Sequence, residues 1–248
     1  MGRLVILSGP SCIGKGPLHQ AMVKFYPHLM ADLQKVVLYN DRAPRPGEQD
    51  GVDFHFRPRG MIESLAGTPG YLVVPVRSDL QALELAALER ILQGGKTPFY
   101  EGNPYVLASL RQCGWLERLS VLSIFLSPLS SEEIRYFKSR DPGVDLALLV
   151  QDIQRRKLLQ RTAKAKGHLS LPDLQEIERR SGNAWREMQE AIHFDWVIPL
   201  HDGEGNDNWD AHYYPIGAAR RAMLAFAKLL QNEDPGTLAE KWLPDLLQ

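Results

Sequence analysis

Cysteine is scarce in this chain, with only Cys12 and Cys113 among the 248 residues. One of them lies in a glycine-containing motif, so we expect no structural disulfide and favour a reducing compartment. No group of His and Cys residues has the spacing of a zinc site. No apolar run is long enough to span a bilayer, and the N-terminus lacks the pattern of a secretory signal. We therefore expect a cytoplasmic protein without a membrane partner.

Net charge is nearly absent as well. The 29 Lys and Arg residues are balanced by 30 Asp and Glu residues, which gives a formal net charge of −1. Such a chain has no overall field that draws it to nucleic acid or to an anionic membrane. The basic segment 155–166 has no interleaved aromatic residues, which favours a solvated helix face over a nucleic-acid surface. We expect no nucleic-acid partner, and any phosphate site must be a local basic cluster.

A strong motif stands near the start of the chain. The apolar run 4–7 predicts a buried strand, and Gly9, Gly14 and Lys15 follow at the spacing of a phosphate-binding loop. In such a loop, backbone N–H groups surround phosphate oxygens, the next helix adds its positive end, and the lysine adds a mobile charge. The alternative is a plain strand-to-helix turn. The predicted nucleotide-binding residues, with ATP as the expected ligand, are Gly9, Pro10, Ser11, Cys12, Ile13, Gly14, Lys15 and Gly16.

The residue after Lys15 departs from the usual loop pattern. That position normally carries a Ser or Thr hydroxyl that helps to hold Mg²⁺, but here it is Gly16, followed by Pro17. We therefore expect Mg²⁺ to be held by phosphates, water molecules and a carboxylate elsewhere, which is an ordinary arrangement for this ion. Cys12 is either a reactive thiol at a helix N-terminus or a small tolerated side chain, and we favour the second.

Strands alternate with helices along the chain, which predicts an α/β fold with a parallel sheet covered on both faces. The predicted strands are 36–39, 71–76, 97–100, 121–126 and 196–200, and the predicted helices are 18–26, 80–92, 131–138, 145–166, 171–192 and 216–230. The segment 140–144 interrupts the helical region. The Pro- and Gly-rich segment 40–54 is predicted to be a loop. Its two arginines, Arg42 and Arg45, form either a second anion site or an incidental part of a solvated loop.

Taken together, three segments resemble the guanylate kinase family. They are Ser-Gly-Pro-Ser-Cys-Ile-Gly-Lys at 8–15, Arg-Ala-Pro-Arg-Pro-Gly-Glu at 42–48 and Asp-Gly-Val-Asp-Phe at 50–54. The resemblance implies a P-loop NTPase core with a parallel sheet flanked by helices, plus an acceptor-binding insertion and a helical lid. The implied domain is 1–230, with core segments 1–36, 80–130 and 190–230, an insertion at 37–79, a lid at 138–170 and a tail at 231–248.

The resemblance also implies roles for single residues. Lys15, Arg140 and one of the pair Arg155 and Arg156, for which we take Arg156, match the catalytic cations that neutralise the transferred phosphoryl group. The positions that match the acceptor site are Arg42 and Arg45 for the acceptor phosphate, Phe54 where the family has Tyr, Glu101 near Mg²⁺ and the acceptor, and Asn103 where the family has a guanine-reading carboxylate. Glu101 is thus also the predicted metal ligand.

The guanine-reading features of the family are largely missing. Leu38 falls where the family has Ser, the apolar run 72–75 falls where it has Glu, and 76–79 replaces a Tyr-Tyr-Gly segment. Arg77 is a new charge that either recognises a different anionic group or lies on the surface.

The resemblance therefore implies an ATP-dependent phosphotransferase that acts on GMP or another small phosphorylated acceptor, of which a sugar phosphate is one candidate. The alternative is a non-catalytic guanylate-kinase-like module that binds a nucleotide or a phosphorylated partner. The sequence carries no indication of oligomeric state.

Overall fold

The computed structural model describes residues 2–45, 47–140 and 143–247. The predicted core, insertion, helix break, lid and tail each include one or more of Met1, Pro46, Asp141, Pro142 and Gln248, which lie outside the described residues. The chain forms two compact units. The first comprises Met1–Ile6 and Asp32–Leu122, and the second comprises Leu7–Ala31 and Ser123–Gln248.

The described residues form nine strands and ten α-helices. In chain order, the strands are β1 (Arg3–Ser8), β2 (Leu33–Lys35), β3 (Tyr39–Asn40), β4 (His55–Phe56), β5 (Tyr71–Val76), β6 (Asp79–Glu84), β7 (Thr97–Gly102), β8 (Ser120–Ser127) and β9 (Trp196–Pro199). The helices are α1 (Lys15–Phe25), α2 (Pro27–Met30), α3 (Arg59–Glu63), α4 (Leu85–Gln93), α5 (Tyr105–Gln112), α6 (Ser131–Arg140), α7 (Leu146–Lys166), α8 (Leu171–Ser181), α9 (Ala184–Gln189) and α10 (Gly217–Leu230). Short 3-10 turns lie at Trp115–Arg118, Glu190–His193, Asp207–Trp209, Gly236–Leu238 and Pro244–Leu247.

The larger sheet has five strands in the order β2-β7-β1-β8-β9. Strand β2 runs parallel to β7, and β8 runs parallel to β9. The β1 residues Leu4, Val5, Ile6 and Leu7 are fully buried. A continuous buried apolar run of this kind is typical of a parallel strand covered by helices on both faces. The predicted fold class, a P-loop α/β core with a parallel sheet flanked by helices, is confirmed.

The smaller sheet lies within the first unit and has the order β4-β3-β6-β5. Strand β6 pairs antiparallel with both β5 and β3. On one face, Ile62 of α3 packs against Leu80 and Ala82 of β6. The prediction of one helix over 80–92 was therefore wrong for its first part, because 79–84 is a strand and the helix begins at Leu85. Pairing with two neighbours overrides the helical spacing of Leu80, Leu83 and Leu88.

Two further predictions of secondary structure were wrong in detail. Of the strand predicted at 36–39, only Tyr39 lies in a strand, β3, and residues 36–38 connect β3 to the preceding β2. Val36 and Leu38 are nevertheless buried, and a short buried apolar run does not by itself locate a strand. The helix predicted at 171–192 is broken at Gly182 and Asn183 into α8, α9 and a 3-10 turn.

The remaining predicted helices and strands are found close to their predicted bounds. Helix α7 is capped at its N-terminus by the Asp145 carboxylate, which accepts hydrogen bonds from the N–H groups of Ala147 and Leu148. The C-terminal segment joins the second unit, because Glu240 exchanges two backbone hydrogen bonds with Val197 of β9. Within the described residues, no helix is both long and apolar enough to cross a membrane.

Candidate functional site

The phosphate loop connects β1 to α1 and is held in a tight curve. Gly9, Cys12 and Gly14 have positive φ angles of 143°, 66° and 114°. A Cβ atom on Gly9 would lie 2.5 Å from the carbonyl oxygen of Leu126, so only glycine fits there. Helix α1 begins at Lys15 directly after the loop. A helix N-terminus in this place favours an anion through its positive end, and the phosphate site predicted from the motif stays a prediction.

Lys15 folds across the mouth of its own loop. Its ammonium donates hydrogen bonds to the carbonyl oxygens of Gly9 and Pro10, both at 2.9 Å. The ammonium is thus held against the backbone that would surround a phosphate group. A lysine in this place supplies positive charge to an anion bound in the loop.

Cys12 is packed and does not face solvent. It is 1% exposed and lies in an apolar cluster with Leu158 and Ile177. Its thiol donates a hydrogen bond to the carbonyl oxygen of Lys157 at 3.4 Å. Burial raises the pKa of the thiol to about 11, and a thiol that stays protonated is a weak nucleophile. The structure therefore favours the interpretation of Cys12 as a small packed side chain.

Three basic side chains that the sequence analysis did not select lie beside the loop. Arg180, 6% exposed, donates from Nε to the hydroxyl of Ser11 at 2.6 Å. Arg161 forms an ion pair of 2.9 Å with Glu204, whose backbone N–H in turn donates to the carbonyl oxygen of Cys12. The third is Lys157 of α7. One signal was present for Arg180, because it stands three residues after the apolar Ile177 in α8 and so on the same helix face.

The predicted lid arginines are not brought to the loop in this structure. Arg156 has a side chain that is 78% exposed and pairs with Asp152 at 2.7 Å. Arg155 pairs with Glu178, also at 2.7 Å. Arg140 is exposed at the end of α6. The catalytic roles of Arg140 and Arg156 stay predictions.

A cavity of about 380 Å³ lies along α1, within the second unit. Its lining includes Pro17, Ala21 and Phe25 of α1 together with Asn206 and Trp209. A Cβ atom on Gly14 would lie 3.2 Å from the Trp209 ring, so the indole lies against the phosphate loop. A cavity of this size, with an aromatic wall, can hold a nucleoside.

The predicted acceptor residues of the first unit are grouped around one carboxylate. Both terminal nitrogens of Arg42 bind Glu48, at 2.6 and 2.7 Å, and the guanidinium lies over the rings of Phe54 and Phe56 at 5.2 and 5.4 Å. The backbone N–H of Arg45 donates to Glu48 at 2.7 Å. Glu48 therefore stands where an anion held by both arginines would be expected. Arg42, Arg45 and Phe54 are brought together in the structure.

Two side-chain amides of the smaller sheet, Asn40 and Gln81, lie near a third, Asn103, which follows β7. The buried Asn103 donates to the carbonyl oxygen of the Gln81 side chain at 2.8 Å and accepts from the Tyr105 N–H at 3.0 Å. Gln81 is in register with Asn40, which is fully buried and accepts from the Arg42 N–H at 3.1 Å. Asn40 and Gln81 were missed because their strand pairing is not visible in the sequence.

The other predicted residues of this region lie in loops and at strand ends. Arg77, partly buried, forms the turn between β5 and β6 with a φ of 58°. Glu101, also partly buried, lies near the end of β7. Among the described residues, no group of three or more His, Cys, Asp or Glu side chains could hold a metal ion. A Mg²⁺ ion held by phosphates, water and one carboxylate fits this finding, whereas a cage made only of protein groups does not.

Comparison with known proteins identifies the family. The sequence model of the family described as Guanylate kinase matches residues 1–162, which is more than half of the chain. The chain belongs to the guanylate kinase family. The matched region runs from β1 into α7, so Arg180 and the following elements lie beyond it.

Curated relatives agree with this family. The guanylate kinase of Synechococcus sp. (strain JA-3-3Ab) is 31% identical over 170 residues, which are 60% of this chain and 65% of that protein. That of Latilactobacillus sakei is 38% identical over 93 residues, which are 34% of this chain and 44% of that protein. The chain thus spans less than two thirds of the length of these relatives. A crystal structure of guanylate kinase from Anaplasma phagocytophilum has a TM-score of 0.52 at 17% identity and covers 96% of this chain and 89% of that one, which shows the shared fold.

Proposed function

We propose that this protein is an ATP-dependent phosphotransferase of the guanylate kinase type, which transfers the γ-phosphoryl group of ATP to GMP or another small phosphorylated acceptor. The observation that carries the proposal is the phosphate loop, with Lys15 at the start of α1 and Arg180 bound to Ser11. Membership of the guanylate kinase family supports it.

Phosphoryl transfer needs positive charge near the transferred group and alignment of the acceptor oxygen with the γ-phosphorus. An oxygen of the acceptor attacks the γ-phosphorus, the bond to the bridging oxygen of ADP breaks, and the charge on the transferred group must be stabilised throughout. Lys15 and Arg180 supply this charge beside the loop. Arg140 and Arg156 remain the proposed lid arginines. Glu101 is the proposed carboxylate that would help to hold Mg²⁺, and the ion would offset the negative charge of the phosphates.

The proposed acceptor site uses Arg42 and Arg45. An arginine pair suits a phosphate dianion because each guanidinium can donate two parallel hydrogen bonds. In the proposed cycle, the acceptor phosphate replaces Glu48 as their partner. The cavity along α1 is the proposed place for the base of ATP, with Trp209 as its aromatic wall.

The proposed domain organisation follows the same roles. We propose a core of 1–36, 80–130 and 190–230 for ATP, an acceptor-binding insertion at 37–79, a lid at 138–170 and a tail at 231–248. Strand β6, which pairs with β5 and β3, begins at Asp79, the last residue of this proposed insertion, and continues into the second proposed core segment. The proposed partner is a small phosphorylated molecule.

A specific observation keeps a second function in consideration, that of a non-catalytic module that binds a nucleotide or a phosphorylated partner. The side chains of Gly16 and Pro17 offer no hydroxyl to Mg²⁺. A loop that has lost this contact can still bind phosphate through its backbone. Both functions include binding of a nucleotide, but only the phosphotransferase converts ATP to ADP.

A coupled assay of ADP release tests the proposal, with a panel of nucleoside monophosphates and sugar phosphates as acceptors. At least one acceptor should stimulate ADP release, and Lys15→Met should lower kcat/KM by about 10²–10³-fold, the range seen when one charge-stabilising donor is lost. Lys228→Met, an exposed lysine of α10 outside the cavity lining, is the matched control. ATP binding by calorimetry without stimulation by any acceptor would support the non-catalytic module. An absence of ATP binding in the presence of Mg²⁺ would refute the phosphate loop itself.

A further inference from the structure

Lys157 is a buried cation that the proposed reaction does not yet use. It lies on α7, is 8% exposed, and donates from Nζ to the carbonyl oxygen of Leu200 at 3.0 Å. An ammonium has three N–H donors. In the part of the chain that the structure describes, Leu200 is its one hydrogen-bond acceptor, and no carboxylate forms an ion pair with it. Two of the three N–H groups of this buried ammonium therefore have no hydrogen-bond acceptor among the described residues.

The side chain of Lys157 is fixed against the phosphate loop. A Cβ atom on Gly203 would lie 2.9 Å from its Cγ atom and 3.0 Å from the carbonyl oxygen of Cys12. Gly203 therefore allows the stem of Lys157 and the loop to meet. The backbone oxygen of Lys157 also accepts the Cys12 thiol. These contacts hold one lysine at one place beside the loop.

The position of the ammonium is that of a ligand-facing group. Leu200 directly follows β9, and its N–H donates to Ser127 at the end of the parallel strand β8. Ligands of open α/β sheets bind at the carboxyl ends of the strands. The loop itself follows the carboxyl end of β1, which neighbours β8 in the sheet.

The nearby carboxylates are already engaged with other groups. Glu133 accepts hydrogen bonds from His201 and from the hydroxyl and N–H of Ser130. Asp202 accepts from the Asn208 amide and from the Ala219 N–H. Burying a charge without a counter-ion costs free energy, so such a group either loses its charge or binds an ion of opposite charge. The surrounding groups thus provide no counter-ion for the Lys157 ammonium, and an incoming anion would supply one.

We propose that Lys157 is a second phosphate-binding lysine, whose ammonium contacts the polyphosphate of ATP together with Lys15. This inference rests on the proposed function. The bond to Leu200 orients the ammonium, and its two other N–H groups face the phosphate oxygens. Lys157 thereby supplies charge to a loop that lacks the usual hydroxyl after Lys15.

Three variants test this inference by calorimetry with Mg-ATP and with inorganic tripolyphosphate. Lys157→Met should weaken both ligands by about 10- to 100-fold, as expected for the loss of charged hydrogen bonds. Lys157→Arg should restore most of the affinity because it keeps the charge. Lys166→Met, an exposed lysine on the same helix, should bind both ligands like the wild type.

Thermal unfolding without ligand separates this role from a structural one. Because Lys157→Met removes a desolvated charge and keeps the stem, its Tm should equal or exceed that of the wild type. Binding of ATP and tripolyphosphate by Lys157→Met within twofold of the wild type would overturn the inference. A lowered Tm would overturn it too, since it would indicate a structural lysine. If the wild type binds tripolyphosphate but not ATP, the proposed function fails while the anion-binding role of Lys157 is still decided by the variants.

The pH dependence gives an independent readout. Burial lowers the pKa of Lys157 to about 8, against an ordinary value of 10.5. The charged form binds the anion, so the affinity of the wild type for ATP should fall as pH rises through about 8, and that of Lys157→Arg should not. The groups facing Lys157 are Cys12, Glu133, Asp202 and His201. All of them are present in both proteins, so the difference between the two pH profiles belongs to Lys157. Identical profiles would overturn the inference.

Discussion

At the scale of single residues, the side chains of the predicted acceptor site are grouped around one carboxylate, Glu48. Burial alone raises the pKa of Glu48, but hydrogen bonds from Arg42 and from the Arg45 N–H outweigh it, and the pKa lies below its ordinary value. Glu48 therefore stays ionised and holds Arg42 in place over two aromatic rings. A phosphate dianion carries more charge than a carboxylate and can exchange with it.

We predict that Arg42→Met raises the KM of the acceptor by about 10- to 100-fold, because two charged hydrogen bonds to the acceptor phosphate are lost. The Kd of ATP should change by less than about twofold. Steady-state kinetics with varied acceptor, and calorimetry with ATP, measure the two effects. Arg90→Met, an exposed arginine of the same unit, is the control.

Arg45→Met is the companion variant, since it keeps the backbone bond to Glu48 and should fold normally. If both variants show the acceptor KM of the wild type, the two arginines do not bind the acceptor phosphate.

Which of the candidate site residues lie close together was partly predictable from the sequence. Arg42, Arg45 and Phe54 lie within one short segment, so their meeting follows from the motif. The contacts of the basic side chains beside the phosphate loop could not be predicted in this way. Lys157, Arg161 and Arg180 meet residues 11 and 12 and the loop at 200–204 only through the packing of α7 and α8. Sequence spacing contains no record of that packing, and the neighbouring Arg155 and Arg156 were equally reasonable choices.

At the scale of helices and strands, some segments have a spacing of apolar residues that fits both a helix and a strand. In these segments, pairing with neighbouring strands determined the structure. Strand β5 was predicted with its bounds because 71–76 is a compact apolar run ended by a turn. Strand β6 was not, because its leucines also fit the helical period that continues into α4. The smaller sheet therefore came from the structure alone, whereas the long helix α7 and the strands β7 and β8 came from their patterns.

The packing of α3 on β6 gives a prediction at this scale. Ile62 is fully buried against Leu80 and Ala82, so Ile62→Ala should lower the free energy of unfolding by about 2–4 kcal/mol, in the range for large-to-small core changes. Met61, the preceding residue of the same helix, is 48% exposed, and Met61→Ala should change it by less than about 0.5 kcal/mol. Urea denaturation followed by circular dichroism measures both. Equal effects of the two variants would contradict the packing of α3 on this sheet.

At the scale of the whole molecule, the chain keeps the phosphate-loop motif of the family, whereas the positions that match its guanine-reading residues carry other side chains. The alternation of strands and helices was enough to predict the α/β class, and the loop motif was enough to predict the tight loop between β1 and α1, whose role in phosphate binding stays a prediction. The guanine-reading positions are another matter. Leu38 is buried and apolar, the run 72–75 offers no carboxylate, and the side-chain amide of Asn103 already serves Gln81 and Tyr105.

We therefore predict that GMP is a poor substrate. Guanine selection needs polar groups matched to the O6, N1 and N2 atoms of the base, and a site built on such hydrogen bonds discriminates by about 10⁴–10⁵. Without them, kcat/KM for GMP should lie at least ~10³-fold below an ordinary value of about 10⁴–10⁸ M⁻¹s⁻¹. Steady-state kinetics with ATP and GMP measure this value, and ATP binding by the same preparation is the control for an intact loop. A kcat/KM for GMP within the ordinary range would show that other residues read guanine, and the protein would then be a guanylate kinase in its substrate as well as in its family.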